Sequence, residues 1–135
     1  MILLSNTDEQ TIQPGQSINF NQVILRSNDG GCGRNTRSNI VRLRSNGLYE
    51  VHFAGNIGGL TAATPVRLAI ALDGQTLPET TMISTPAAVG DFNNVATATL
   101  IRNCTCDNSV VTVTNTGTEP VVVDANTSFF VKRVG

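Results

Sequence analysis

Tryptophan is absent from this 135-residue chain, tyrosine and histidine occur once each, and only five phenylalanines make up for them. A core built from this set must rest mainly on Val, Ile and Leu. One histidine and scattered carboxylates leave little material for acid–base catalysis, which needs titratable groups within hydrogen-bond reach of one another. Charged residues amount to 14 % of the chain, well under the usual quarter. The net charge is -1, so neither nucleic acid nor an anionic membrane has an electrostatic footprint to bind. The densest basic group, Arg34, Arg37, Arg42 and Arg44, reads as dispersed strand and loop residues. No apolar run is long enough to cross a bilayer as a helix. Met1, Ile2, Leu3 and Leu4 are apolar, but no basic segment, long apolar stretch or cleavage signal accompanies them, so they do not read as a secretory leader.

Thr, Asn and Ser supply the polarity instead, and they suit strands and turns better than helix interiors. The clearest pattern opens at Asn46-Gly47, a turn signal, and runs into alternation. Tyr49, Val51 and Phe53 face one way, Glu50 and His52 the other. Strand-like runs recur at 17–20, 23–25, 40–43, 48–57, 65–72, 77–84, 95–101, 110–114, 121–123 and 128–134. Asp73-Gly74 is a hairpin signal between two of them. A polar Gly-rich loop spans 27–39, and nowhere does a 3.6-residue apolar period persist for three turns. This spacing predicts an all-β fold, an antiparallel β-sandwich in a single domain over 14–135, with 1–13 as an amino-terminal arm.

Val121 to Val123 and Phe129-Phe130-Val131 are apolar on both faces. A two-layer sandwich buries one face of each sheet, so such strands call for extra cover from a partner subunit or a long loop. Ala69, Ala71, Ala96 and Ala98 are small enough to allow close approach there. Exposed β-branched strand formers are the plainer alternative.

Several segments carry a family likeness. Gly47-Leu48-Tyr49-Glu50-Val51-His52-Phe53 resembles the Gly-x-Tyr-x-Val-x-Phe strand of the trimeric jelly rolls of the C1q and tumour-necrosis-factor type. The run from Leu68 to Gly74 resembles that family's strand ending in a tight turn, and 111–115 followed by Pro120-Val121-Val122 also fits. The close, 126–134, is similar to the last strand of bacterial exosporium head domains. The collagen-like Gly-x-y repeats that often precede such heads are missing, which turns the resemblance toward phage decoration and head-fibre proteins. The resemblance implies a homotrimeric jelly roll with Tyr49, Val51, Phe53, Phe129 and Val131 at the trimer interface.

Chemistry is sparse. His52 has only Glu50 nearby on its face, and a metal held by three copies on a trimer axis is the one special role open to it. Cys32, Cys104 and Cys106 are odd in number, which leaves a disulfide or intersubunit bridge, inert thiols or a metal cluster. The Cys104-Thr105-Cys106 spacing is shorter than that of common zinc knuckles. A bridge from Cys32 to either would contribute about 4 kcal/mol in the chain-entropy view. Asp107 and Asp124 are oxygen donors suited to Ca²⁺ but are as readily solvated turn residues. No nucleophile motif or phosphate-cradling loop is present, so no catalytic residue, cofactor or resident metal is expected.

The expectation is therefore a non-enzymatic structural protein. It is a trimer that decorates or stabilises a phage capsid, docked on the major capsid protein or another particle surface by Met1, Ile2, Leu3 and Leu4, and located on the virion head. Removing 1–10 should then abolish docking and spare the trimer. The alternative is a spore- or cell-surface module that binds a glycan or host receptor, with Phe92 as the one aromatic free of strand patterns.

Overall fold

The computed structural model describes residues 1–26, 41–44, 46–103 and 109–135. Cys32, Cys104, Cys106 and Asp107 lie outside them, as do Arg34 and Arg37. The described residues form two antiparallel sheets packed face to face, the architecture expected from the strand spacing.

The larger sheet contains β1 (Ile2–Ser5), β2 (Gln10–Ile12), β3 (Gln22–Arg26), β5 (Gly47–Gly59), β9 (Asn93–Asn103), β11 (Val121–Val123) and β12 (Ser128–Arg133). Its order is β2-β11-β5-β12-β1-β3, with β9 along the other side of β5. The smaller sheet contains β4 (Val41–Leu43), β6 (Val66–Leu72), β7 (Gln75–Thr76), β8 (Met82–Ser84) and β10 (Ser109–Asn115). It runs β4-β10-β6-β7, with β8 also on β6. Neighbours in both sheets are often distant in sequence, as β1 between β12 and β3 shows, so most pairing is non-local.

β5 is the organising strand. Its side chains alternate as the sequence implied, with Tyr49, Val51, Phe53 and Ile57 inward and fully buried. They meet Val41, Leu43, Leu68, Ile70, Val111 and Val113 from the smaller sheet. Phe20 closes the core, stacked on Phe129 with ring centroids 5.0 Å apart and edge-on to Phe53 at 6.5 Å. Such aromatic pairs add about 0.5–1.5 kcal/mol beyond their buried area. Segment 17–20, expected as a strand, makes only an isolated bridge from Ser17 to Thr114. Ile18 and Phe20 are nonetheless buried, because the backbone N–H of Ile18 donates to the Val113 carbonyl at 2.9 Å and holds the segment down.

Local chemistry accounts for the turns. Asp73 and Gly74 have φ of 51° and 83°, the pair of positive values a type I′ hairpin turn requires. The turn is also anchored to β10, since the Asp73 carboxylate accepts from the Val110 N–H at 2.8 Å. The Thr-rich 77–84 segment is not one strand. Pro78 starts a short 3-10 turn, Pro78–Thr80, before β8. Thr80 is fully buried there; its hydroxyl accepts from the Ile70 N–H at 2.9 Å and donates to the Leu77 carbonyl at 2.7 Å. Thr80→Val keeps the shape and removes both bonds, leaving the buried Ile70 N–H unpaired while the Leu77 carbonyl keeps the Thr80 N–H at 3.0 Å. Urea unfolding should report a loss of about 1–3 kcal/mol.

The amino-terminal arm must be corrected. Residues 2–5 form β1, an interior strand paired to β12 (Leu3 opposite Phe130) and to β3 (Leu3 opposite Leu25). Ile2 and Leu4 are 0 % exposed, and residues 10–12 form β2 on β11. The segment 1–13 is thus part of the sandwich, and Ile2 and Leu4 cannot reach a particle without leaving the core.

Two buried asparagines tie this segment in. Asn6 donates to the Asp8 and Asp124 carbonyls at 2.9 and 3.0 Å, and its own side-chain oxygen accepts from the Thr127 N–H and hydroxyl. Asn115 donates to the carbonyls of Ile12 and Glu119 at 2.9 and 2.8 Å and accepts from the Gly117 N–H. Among the described residues, no buried side-chain nitrogen or oxygen lacks a partner.

Candidate functional site

The inward alternation of β5 and β12 dictates what faces out. Tyr49, Val51, Phe53, Phe129 and Val131 are each no more than 1 % exposed inside this one chain. The expectation that they line a subunit interface is therefore corrected. They are spent on the intrachain core, because the second sheet covers the face they share.

The opposite face of the larger sheet is the uncovered one. Residues directly opposite in antiparallel strands share a face. The register sets Leu25, Leu3, Phe130, His52 and Ala98 in one row across β3, β1, β12, β5 and β9. Parallel rows hold Lys132, Glu50 and Leu100 on one flank and Ser128, Ala54 and Ala96 on the other. Leu100 is 61 % exposed and Leu25 46 %, and Ala96 and Ala98 are exposed as well. The other alanines named with them, Ala69 and Ala71, are buried within β6 and take no part.

His52 is the polar centre of this face. Its Nε2 lies 2.5 Å from Oε1 of Glu50, and its ring meets Phe130 edge-on at 5.6 Å. The imidazole thus has a partner in its own chain. Glu50, His52, Ala98, Thr99 and Leu100 line a shallow depression. Polar residues bound the face at both ends, with Lys132 and Arg102 at one and a 3.2 Å Asn94–Asn56 side-chain bond at the other. A mostly apolar strip with one internally paired polar group at its middle and polar residues at its rim has the composition common in protein–protein interfaces.

A second feature lies at the far end of β5. The loop after β8 folds over Gly58, where a Cβ would meet the Asp91 carbonyl at 2.5 Å and the Phe92 ring at 3.4 Å. Only glycine admits that approach. A cleft of about 310 Å³ opens beside it, with Val122, Leu60, Val89 and Phe92 among its walls and Glu9 and Asp91 at its edge. Phe92, expected to be free, is half-buried here. The Gly58-Gly59 pair inside a strand was the available signal, since interior strand glycines mark close backbone approach.

The remaining candidates do not converge on these features. Asp124 uses its carboxylate to accept from the Ala125 N–H at 2.9 Å, the behaviour of a turn residue. No group of three or more His, Cys, Asp or Glu suited to a metal occurs among the described residues. The cysteine and Asp107 expectations lie outside them.

A two-sheet antiparallel sandwich with this crossing strand order is a jelly roll. More particularly, it is the jelly roll of the C1q and tumour-necrosis-factor type, as solved structures show. Murine APRIL at pH 5.0 superposes with a TM-score of 0.67 at 16 % identity, covering 97 % of this chain and 96 % of that one. The globular domain of zebrafish complement 1qA gives a TM-score of 0.63 at 11 % identity, covering 96 % and 94 %. No protein-family model matches the chain, and no curated protein matches it in sequence.

Proposed function

We propose that this protein is a non-enzymatic structural jelly roll that self-associates as a homotrimer through the outer face of its larger sheet. The row Leu25–Leu3–Phe130–His52–Ala98 carries the reading. It is a contiguous, mostly apolar strip that the chain's own second sheet does not cover. Monomeric proteins seldom expose such strips without a partner. The stoichiometry of three rests on the sequence likeness to trimeric jelly rolls. Light scattering coupled to gel filtration should return three times the 14.3 kDa chain mass. A monomer mass at micromolar concentration would sink the reading.

The particle we propose for it is a phage head, with the major capsid protein as partner, on the strength of the resemblance to decoration and head-fibre proteins. With 1–13 folded into the sandwich, docking falls to surfaces other than Met1 to Leu4. Co-sedimentation of the protein with capsids tests this. The second reading, a spore- or cell-surface binding module, is favoured by the cleft at Phe92.

A further inference from the structure

From the cleft at the end of β5 we infer a binding site for a primary alkylammonium group, the side chain of a lysine on a partner protein. The walls and floor are apolar: Val122 is only 6 % exposed, while Leu60 and Val89 present 51 % and 60 % of their surface. At the edge stand two carboxylates, Glu9 and Asp91, both exposed. Neither makes a side-chain hydrogen bond or ion pair among the described residues, and no Lys, Arg or His lines the cleft. Its lining side chains are therefore apolar apart from these two acids.

That pattern selects the occupant. A lysine is a strongly hydrated charge on a four-carbon apolar stem, and such side chains bury the stem while keeping the charge at the wet edge. Here the stem would lie along Val122, Leu60 and Val89, with the ammonium between the two carboxylates. The Phe92 ring adds an attraction for a cation within about 6 Å of its centroid. The volume of about 310 Å³ is at the small end of ligand sites and suits one side chain better than an oligosaccharide. Hard metal ions fit poorly, since they need six or more oxygen ligands and half of this lining is hydrocarbon. A neutral sugar fits poorly too, because the lining side chains offer no hydrogen-bond donor. The cleft opens on the same outer face of the larger sheet as the proposed trimer strip, beyond its Asn56–Asn94 end, since Gly58 opposite Val122 continues the outward alternation of β5.

The test is an NMR titration of the full ¹⁵N-labelled chain with n-butylammonium and with N-acetyl-lysine N-methylamide. n-Butanol, N-acetyl-norleucine N-methylamide and methyl glucoside serve as neutral controls. Both ammonium probes should give saturable shifts at the amides of Gly59, Leu60, Gly90 and Phe92, in the millimolar range of about 1–50 mM expected for one side chain. Glu9→Gln and Asp91→Asn, both exposed changes that leave the fold intact, should each weaken the ammonium probes about two- to five-fold. Raising the salt to about 1 M should weaken them further by screening. Equal shifts with n-butanol, shifts with methyl glucoside alone, or no saturable shift with either ammonium probe would overturn the inference. Binding of butylammonium without binding of the capped lysine would overturn the assignment to a partner protein.

Discussion

A chain that begins at residue 6 should not fold. Removing residues 1–5 takes away Ile2 and Leu4, both 0 % exposed, and with them the strand that joins β12 to β3. Truncating either side chain alone to alanine would cost about 2–5 kcal/mol through lost transfer energy and cavity formation. Losing both, and the hydrogen-bond ladders on either side, approaches or exceeds the whole stability of a domain this size, about 5–15 kcal/mol. The shortened chain should lack the amide dispersion of a folded protein and show no cooperative thermal transition. A cooperative transition within about 5 °C of the full chain would mean that β1 contributes little. This outcome is opposite to that of a docking arm, whose loss would leave the fold untouched.

Asn6 offers a finer probe of the same seam. Asn6→Asp is isosteric, yet the new side chain cannot donate to both the Asp8 and Asp124 carbonyls. Ionised, it would face two carbonyl oxygens from a position 0 % exposed, so the folded state favours the protonated acid. Its folded pKa is thereby raised above the unfolded value of about 3.9. The folded state then holds more protons than the unfolded one, so the variant's stability falls as pH rises between those two values. Urea midpoints at pH 4 and pH 7 should show the larger deficit at pH 7.

The way β1 escaped the sequence reading is instructive. Ile2, Leu3 and Leu4 are a short apolar run followed by polar residues, and their partners Val131, Phe130 and Leu25 lie far off in the chain. Periodicity detects a strand by its own alternation and is blind to such distant pairing. β5 was legible because its thirteen residues alternate over one buried face. What the alternation left open was which face the chain's own second sheet would cover. Size was the missing clue. Tyr49, Val51 and Phe53 are large and fill a core, whereas Glu50, His52 and Ala54 opposite them are polar or small. The Thr-rich segment failed for another reason: Pro78 lacks an N–H, and Thr80 supplies a side-chain bond where a ladder would have had a backbone one. The cleft was half visible. Phe92 stood out, but its approach to Gly58 spans thirty-odd residues, and only the paired glycines hinted at it.

Two substitutions one residue apart in sequence separate the core from the assembly face. Phe129 points inward, is 1 % exposed and stacks on Phe20, so Phe129→Ala should cost about 3–5 kcal/mol and lower the melting temperature steeply at any protein concentration. Phe130 points outward into the row beside His52, and Phe130→Asp should leave each chain folded while abolishing association. The reason is the cost of burying a carboxylate against the apolar strip of a second copy beside Glu50, the acid already in these rows, while Lys132 on the same face stands exposed on the flanking row. An unpaired buried charge costs several kcal/mol per site, and a trimer repeats the site three times. Leu100→Glu adds an independent check. Its side chain is 61 % exposed in the single chain, so the folded monomer should change by no more than about 0.5 kcal/mol while the assembly is lost. Light scattering should thus report a folded 14.3 kDa species for both outward variants, with far-ultraviolet dichroism unchanged from the parent. If either variant keeps the parent's assembled mass, the outer face of the larger sheet is not where copies of this chain meet.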